Sequence, residues 1–151
     1  MSLARDPVFY DLLAGSYARL AGEPLVSLEE NISDPARWLY EEAPFGVLAH
    51  NTDLDPVFIY ANKRAQALFE YTWEEMLSLP SRLSAEEPNR KERQRLLDLV
   101  QTHGFATGYR GLRIAKSGKR FQIENATVWQ LIDRDGVLRG QAAVIWQWRD
   151  A

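Results

Sequence analysis

The chain has no cysteine among its 151 residues, and only two histidines and two methionines. Without thiols there can be no disulfide, thiolate nucleophile, Cys-type zinc site or flavin–cysteinyl photoadduct. Long hydrophobic runs are missing too. No stretch approaches the roughly 20 apolar residues of a membrane span, and no apolar segment follows basic residues at the N-terminus. Cationic excess is also absent: 18 Lys and Arg against 21 Asp and Glu give a net charge of −3 and a pI of 5.4. Such a surface has little to offer a phosphate backbone or an anionic bilayer. The expected location is therefore the cytoplasm, with neither nucleic acid nor membrane as partner. There is no nucleophile elbow, phosphate loop or His–carboxylate pattern of useful spacing. Glu41 with Glu42, Glu74 with Glu75, and Glu86 with Glu87 are sequence neighbours that point in different directions on a helix, so they make no acid/base pair. Neither catalytic residues nor metal ligands are expected.

What is present is a 46% hydrophobic chain, long enough for one core. Asp6 with Pro7, and Asp34 with Pro35, are N-cap and first-turn pairs; they open a helix over residues 6–22 and a short one that Pro44 ends. FGVLAHNT and VFIYA alternate as two short strands. Asn62 then caps a helix carrying Ala65, Leu68 and Phe69. Thr72 with Glu75 forms a capping box for the next, and NRKERQRLLDLVQTHG makes a longer helix with Leu96, Leu97 and Val100 inward. Its basic residues interleave with Glu92 and read as a solvated face. Three strands close the chain, with Ser117 and Gly118, then Asp135 and Gly136, in the turns. This order predicts an α+β fold: a five-stranded antiparallel sheet with helices across one face. The expected division is an N-terminal helical extension over 1–43 and a sheet domain over 44–151.

The segments GSYARLAGEPLV, APFGVLAHN, FIYANKRAQALFEYTWEEM, LPSRLSAEEPNRKERQRLL and RIAKSGKRFQIENATVWQLID resemble, as a set, the MEKHLA domain family, a PAS-like group, in its bacterial stand-alone form. The resemblance implies the PAS fold and a sensory role toward light, oxygen, redox state or a small molecule, without naming the ligand.

If both hairpin turns have two residues, Trp129 pairs with Ala142, Thr127 with Val144, Asn125 with Trp146, and Ile123 with Trp148. Arg110 then falls beside Asn125 on a tryptophan-lined face turned toward the central helices. The candidate ligand contacts are Arg110, Asn125, Thr127, Trp129 and Trp146, with Asn62 at the junction that borders this space. A competing reading makes these residues core filling, with Asn125 and Thr127 satisfying helix ends and Arg110 paired at the rim. The opposite face carries Ala126, Val128, Ile132, Ala143 and Ile145 and needs cover from the N-terminal helix, within the chain or across a homodimer. The cofactor is left unidentified. Five tryptophans invite a flavin, and His103 on the long helix sits where some PAS domains ligate haem, although the last turn equally suits it to helix-end carbonyls. His50 reads as a rim residue.

The functional expectation is a non-catalytic sensory module binding a small molecule and signalling through a second copy or a downstream protein. A pure interaction or dimerisation module with a filled core is the alternative, and a small cone-fold enzyme the third reading.

Overall fold

Four helices begin where a side chain accepts from a first-turn N–H group. The computed structural model describes residues 3–26, 32–84 and 87–151. Helix α1 (Pro7–Ala21) is capped by Asp6, whose carboxylate accepts from Val8 N at 2.9 Å, and ends at Gly22 with φ 78°. Asp34 caps α2 (Pro35–Glu41), Asn62 caps α3 (Lys63–Phe69), and the reciprocal Thr72 and Glu75 box starts α4 (Trp73–Met76). A 3-10 turn (Ser81–Ser84) precedes α5 (Glu87–His103). Strands β1 (Gly46–His50), β2 (Phe58–Ala61), β3 (Phe105–Ile114), β4 (Arg120–Ile132) and β5 (Leu138–Asp150) form one antiparallel sheet in the order β2-β1-β5-β4-β3. The expected element order is therefore observed. Glu86 and the side chains of Asn89, Arg90, Glu92 and Arg93, part of the basic run, lie outside the described residues. Among the described residues, no helix is long and apolar enough to cross a membrane.

Both sheet faces are apolar, and each has its own helices. On the first, Trp129, Leu131, Ala142 and Val144 pack with Phe9, Leu13 and Tyr17 of α1 and Leu39 of α2. On the second, Ala126, Ile145, Phe121 and Ile123 pack with Ala65 and Phe69 of α3 and Met76 of α4, while Leu96 and Val100 of α5 cover Val128. This reverses the expected assignment: the tryptophan face meets the N-terminal helix, and the face of small residues meets the central helices. Apolarity could not decide between two apolar faces. Local complementarity does: the Trp129 indole reaches the α1 backbone, donating from Nε1 to Leu13 O at 3.2 Å. Buried Ser16 docks the same helix like a strand residue: its Oγ donates to Ile132 O at 2.8 Å and accepts from Ile132 N at 2.9 Å. Tyr17 meets Trp129 edge-on, with centroids 5.0 Å apart.

The two hairpins depart from the expected turns in the same way. Ala115 N donates to Lys119 O at 2.8 Å, so the β3–β4 loop has three residues, Lys116, Ser117 and Gly118, with Gly118 at φ 92°. A type I turn closed by a left-handed glycine is the usual three-residue solution, and it shifts register by one from the two-residue turn. Arg113 therefore pairs with Phe121 and Gly111 with Ile123, which turns the turn-proximal part of β3 to the other face, while irregularities on either side of Tyr109 set that residue opposite Ala126. The β4–β5 loop is built alike, with Asp133 N donating to Val137 O at 3.0 Å, yet Leu131 still pairs with Gly140 because a bulge beside Ile132 restores the count. Trp129 with Ala142, Thr127 with Val144, and Ile123 with Trp148 stand as expected, whereas Asn125 meets Gln147 instead of Trp146 at a second irregularity.

Asn62 is fully buried and uses its whole side chain: Oδ1 accepts from Ala65 N at 3.0 Å and Val47 N at 2.9 Å, and Nδ2 donates to Leu39 O and Phe45 O, both at 3.0 Å. Replacing it by alanine strands two N–H groups and two carbonyls. Asn62→Ala is expected to lower the urea midpoint without changing the slope, at a cost of about 2–4 kcal/mol; a loss within experimental error would show that water or relaxation replaces the clamp. A second prediction concerns acid. Hydrogen bonding from Val137 N, then from Arg139, holds the Asp133 carboxyl below its ordinary value of 3.8. The unfolded chain takes up that proton first, so this stabilisation is complete above 3.8 and lost as pH falls through the depressed value. Urea midpoints measured against pH should fall less steeply below 3.8 in Asp133→Asn than in the parent chain.

Candidate functional site

A partly enclosed cavity of about 70 Å³ lies between the second sheet face and helices α3 and α5. Its walls are mostly hydrocarbon, from Leu48, Phe58, Phe69, Leu96, Ile123 and Ile145. Small side chains keep it from closing: Ala126 and Ala143 stand at the lining where larger residues would fill the gap. A few polar groups converge on this surface: His50 at the end of β1, Ser81 and Ser84 from the 3-10 turn, Tyr109 and Arg113 from β3, and Gln141 from β5. Ser84 Oγ donates to Ser81 O at 2.7 Å, and His50 Nδ1 lies 2.9 Å from Asn51 O. An apolar concavity with a few fixed polar groups is the arrangement that orients a small ligand.

The polar wall of β3 follows from the one-residue register shift at Gly111 and Arg113, together with the irregularities that set Tyr109 opposite Ala126. Tyr109, Gly111 and Arg113 alternate onto the cavity side, and Gly111 carries nothing that would separate its neighbours. A β-carbon there would overlap the Tyr109 hydroxyl and come within 3.1 Å of Arg113 Nη1. In its absence Tyr109 folds over the glycine: Arg113 Nη2 donates to the Tyr109 hydroxyl at 2.9 Å, and the guanidinium carbon sits 5.4 Å from the ring centroid.

The six expected contacts do not gather at this cavity. Thr127, Trp129 and Trp146 come together on the α1 face, where Trp146 Nε1 donates to Thr127 Oγ1 at 3.2 Å and its indole meets the Phe45 ring at a tilt, with centroids 4.8 Å apart. Arg110 is exposed and pairs with Glu124 at 2.6 Å, the rim role that was the competing reading, and Arg149 holds the same carboxylate. Hydrogen bonds from Arg149, with help from Arg110, keep the Glu124 carboxyl below the usual range. Asn125 is half-buried at the irregularity opposite Gln147. Asn62 spends its hydrogen bonds on backbone. Trp148 reaches the cluster around Phe69, unlike the other two indoles. His103 is exposed at the end of α5 and does not line the cavity. A volume of about 70 Å³ also falls well short of the roughly 300–1,000 Å³ of drug-sized sites, so neither a flavin ring nor a haem fits this conformation. Tyr109, Arg113, Ser81 and Ser84 were not foreseen; the glycine in third place of the KSGK turn is the signal that would have turned β3 around.

The MEKHLA domain model matches residues 8–150. No curated protein matches the chain. Among solved structures, a PAS domain from Colwellia psychrerythraea superposes with a TM-score of 0.62 at 14% identity, over 83% of this chain and 98% of that one. A chain from a structure described as a flavin-analogue study of the light-oxygen-voltage domain mechanism gives 0.57 at 17% identity, over 67% and 75%. At these identities the likeness is one of fold.

Gly111→Ala is expected to drive the Tyr109 hydroxyl off Arg113 and cost about 1–3 kcal/mol in urea unfolding. Because the loss is a collision, adding Tyr109→Ala should cost less in the Gly111→Ala background than in the parent chain. Strict additivity would place the strain elsewhere.

Proposed function

For a chain that belongs to the MEKHLA domain family, within the PAS fold, we propose the role of a non-catalytic sensory module that binds a small molecule in the cavity beneath α3 and α5. The observation that carries this reading is the cavity itself: a hydrocarbon space at the centre of the domain, kept open by alanines and bordered by several polar side chains. Against a paired-carboxylate enzyme, no aspartate or glutamate among the described residues lines it; of the groups that carry acid/base chemistry, its lining holds His50 and Tyr109.

The sheet supplies the route outward. Along β4 and β5, Ala126, Val128 and Ile145 border the cavity, while the intervening Thr127, Trp129 and Val144 belong to the α1 side. An occupant that favours one spacing of these strands also favours one docking of α1 on Trp129 and Ile132, and it shifts the population by its difference in affinity for the two states. The signal would leave through the outer side of α1, where Val8 is 75% exposed, to a second copy of the chain or a downstream protein in the cytoplasm.

The test is a thermal-shift screen of small metabolites on the full chain and on Ala126→Leu, which fills the cavity, with an absorption spectrum and native mass spectrometry of freshly purified protein alongside. Compounds should raise the midpoint of the parent chain and not of the variant. If no compound acts on the parent while Ala126→Leu is more stable, the cavity is only a packing defect and the interaction-module reading takes its place.

A further inference from the structure

Arg113 is the one charged side chain in the buried class among the described residues, at 8% exposure. Its partners are both neutral. Nη1 donates to Leu112 O at 2.9 Å and Nη2 to the Tyr109 hydroxyl at 2.9 Å, and no ion pair of the described residues includes it. Six exposed arginines show the opposite pattern, for Arg5, Arg37, Arg82, Arg110, Arg139 and Arg149 each have a carboxylate, while exposed Arg19 donates to Ile132 O. Electrostatics would place the counter-charge where the desolvation cost is greatest, at the buried cation. The missing charge has a place to stand, because Arg113 lines the cavity. A guanidinium offers five N–H donors in a planar fork, and two acceptors do not exhaust it.

We propose that the cavity takes a small organic anion, a short-chain monocarboxylate, whose carboxylate completes the coordination of Arg113 and whose hydrocarbon end lies against Ile123, Ala126, Val128 and Ile145. This rests on the small-molecule reading above and gives it a ligand class. The hydrocarbon walls select against a bare inorganic anion, which would leave them in contact with a strongly hydrated ion. The volume of about 70 Å³ limits the ligand to a few heavy atoms. Tyr109, folded over Gly111 onto the guanidinium, supplies an oxygen to Arg113 and shields its face when the anion is absent.

The experiment is calorimetric titration of the full chain with propionate and butyrate, against propionamide, butyramide and inorganic phosphate, each repeated on Arg113→Gln. The carboxylates should bind roughly tenfold or more tightly than their amides, the range for losing hydrogen bonds to a charged partner. In Arg113→Gln that preference should disappear. Without ligand, the variant should melt no lower than the parent, since it removes an uncompensated buried charge. Equal binding of acids and amides overturns the anion proposal and leaves the cavity reading intact. So does an acid preference that survives in Arg113→Gln. Phosphate binding as tight as butyrate overturns the hydrocarbon half of the assignment. If no acid or amide binds the parent chain, the proposal falls, and the metabolite screen decides the cavity reading separately. Should Arg113→Gln fail to fold, the acid and amide comparison on the parent chain still decides.

Discussion

The side chain of Asn62 ties together three parts of the chain that would otherwise meet only through apolar contact. Its carbonyl oxygen caps α3 and also accepts from β1, while its amide donates to the C-terminal part of α2 and to the residue that enters β1. Four hydrogen bonds in a site with no water access make this a matter of geometry more than of gross stability, because a buried amide left half-satisfied costs more than an apolar residue would. With α3 fixed at its first turn, Ala65 lies directly over Gly46, where a β-carbon would come within 3.6 Å of it. Phe69, one turn further along, then defines one wall of the cavity.

From this anchor the two faces of the sheet acquire different textures. The α1 side is packed with large rings and closed by specific polar contacts, Trp129 to Leu13 and Ser16 to Ile132. The other side sets alanines against Phe69, Leu96 and Met76 and leaves a gap. One pair of long strands carries both textures, so the strand spacing that shapes the cavity side is also the spacing on which α1 is seated.

Much of this was legible in the sequence because the signals are local. Asp6 with Pro7, Asp34 with Pro35, Asn62, and Thr72 with Glu75 each satisfy N–H groups within three residues, and all four caps form where the residue types place them. The site was less legible because it depends on parity. A glycine in the third position of a loop turns over the part of β3 from Gly111 to Ile114, and the same loop chemistry before β5 does no such thing, since a bulge near Gly140 cancels it. Nothing within the KSGK or RDGV segments states whether a compensating bulge lies several residues away. Arg110 and Arg113 are equivalent in composition, and only register decides that one meets Glu124 in water while the other is buried beside Tyr109. The choice of face failed for a different reason: hydrophobicity asks which side is apolar, and here both are.

A scaffold that served only to hold partners together would gain by closing its inner face. An apolar void of about 70 Å³ costs on the order of 2 kcal/mol at the usual dependence on cavity volume, a sizeable share of the roughly 5–15 kcal/mol that holds a domain folded. A valine or leucine in place of Ala126 or Ala143 would recover part of it with no change to the α1 side. Setting an arginine without a carboxylate on the same wall adds a second cost, and the bare Gly111 lets the Tyr109 ring and hydroxyl lie against it. Packing defect and isolated charge coincide on one surface, while the opposite face of the same strands is filled and satisfied. Under the proposal, both costs would be removed by one event, the arrival of an anion with a hydrocarbon tail, and that shared remedy is the physical argument for binding over imperfect packing.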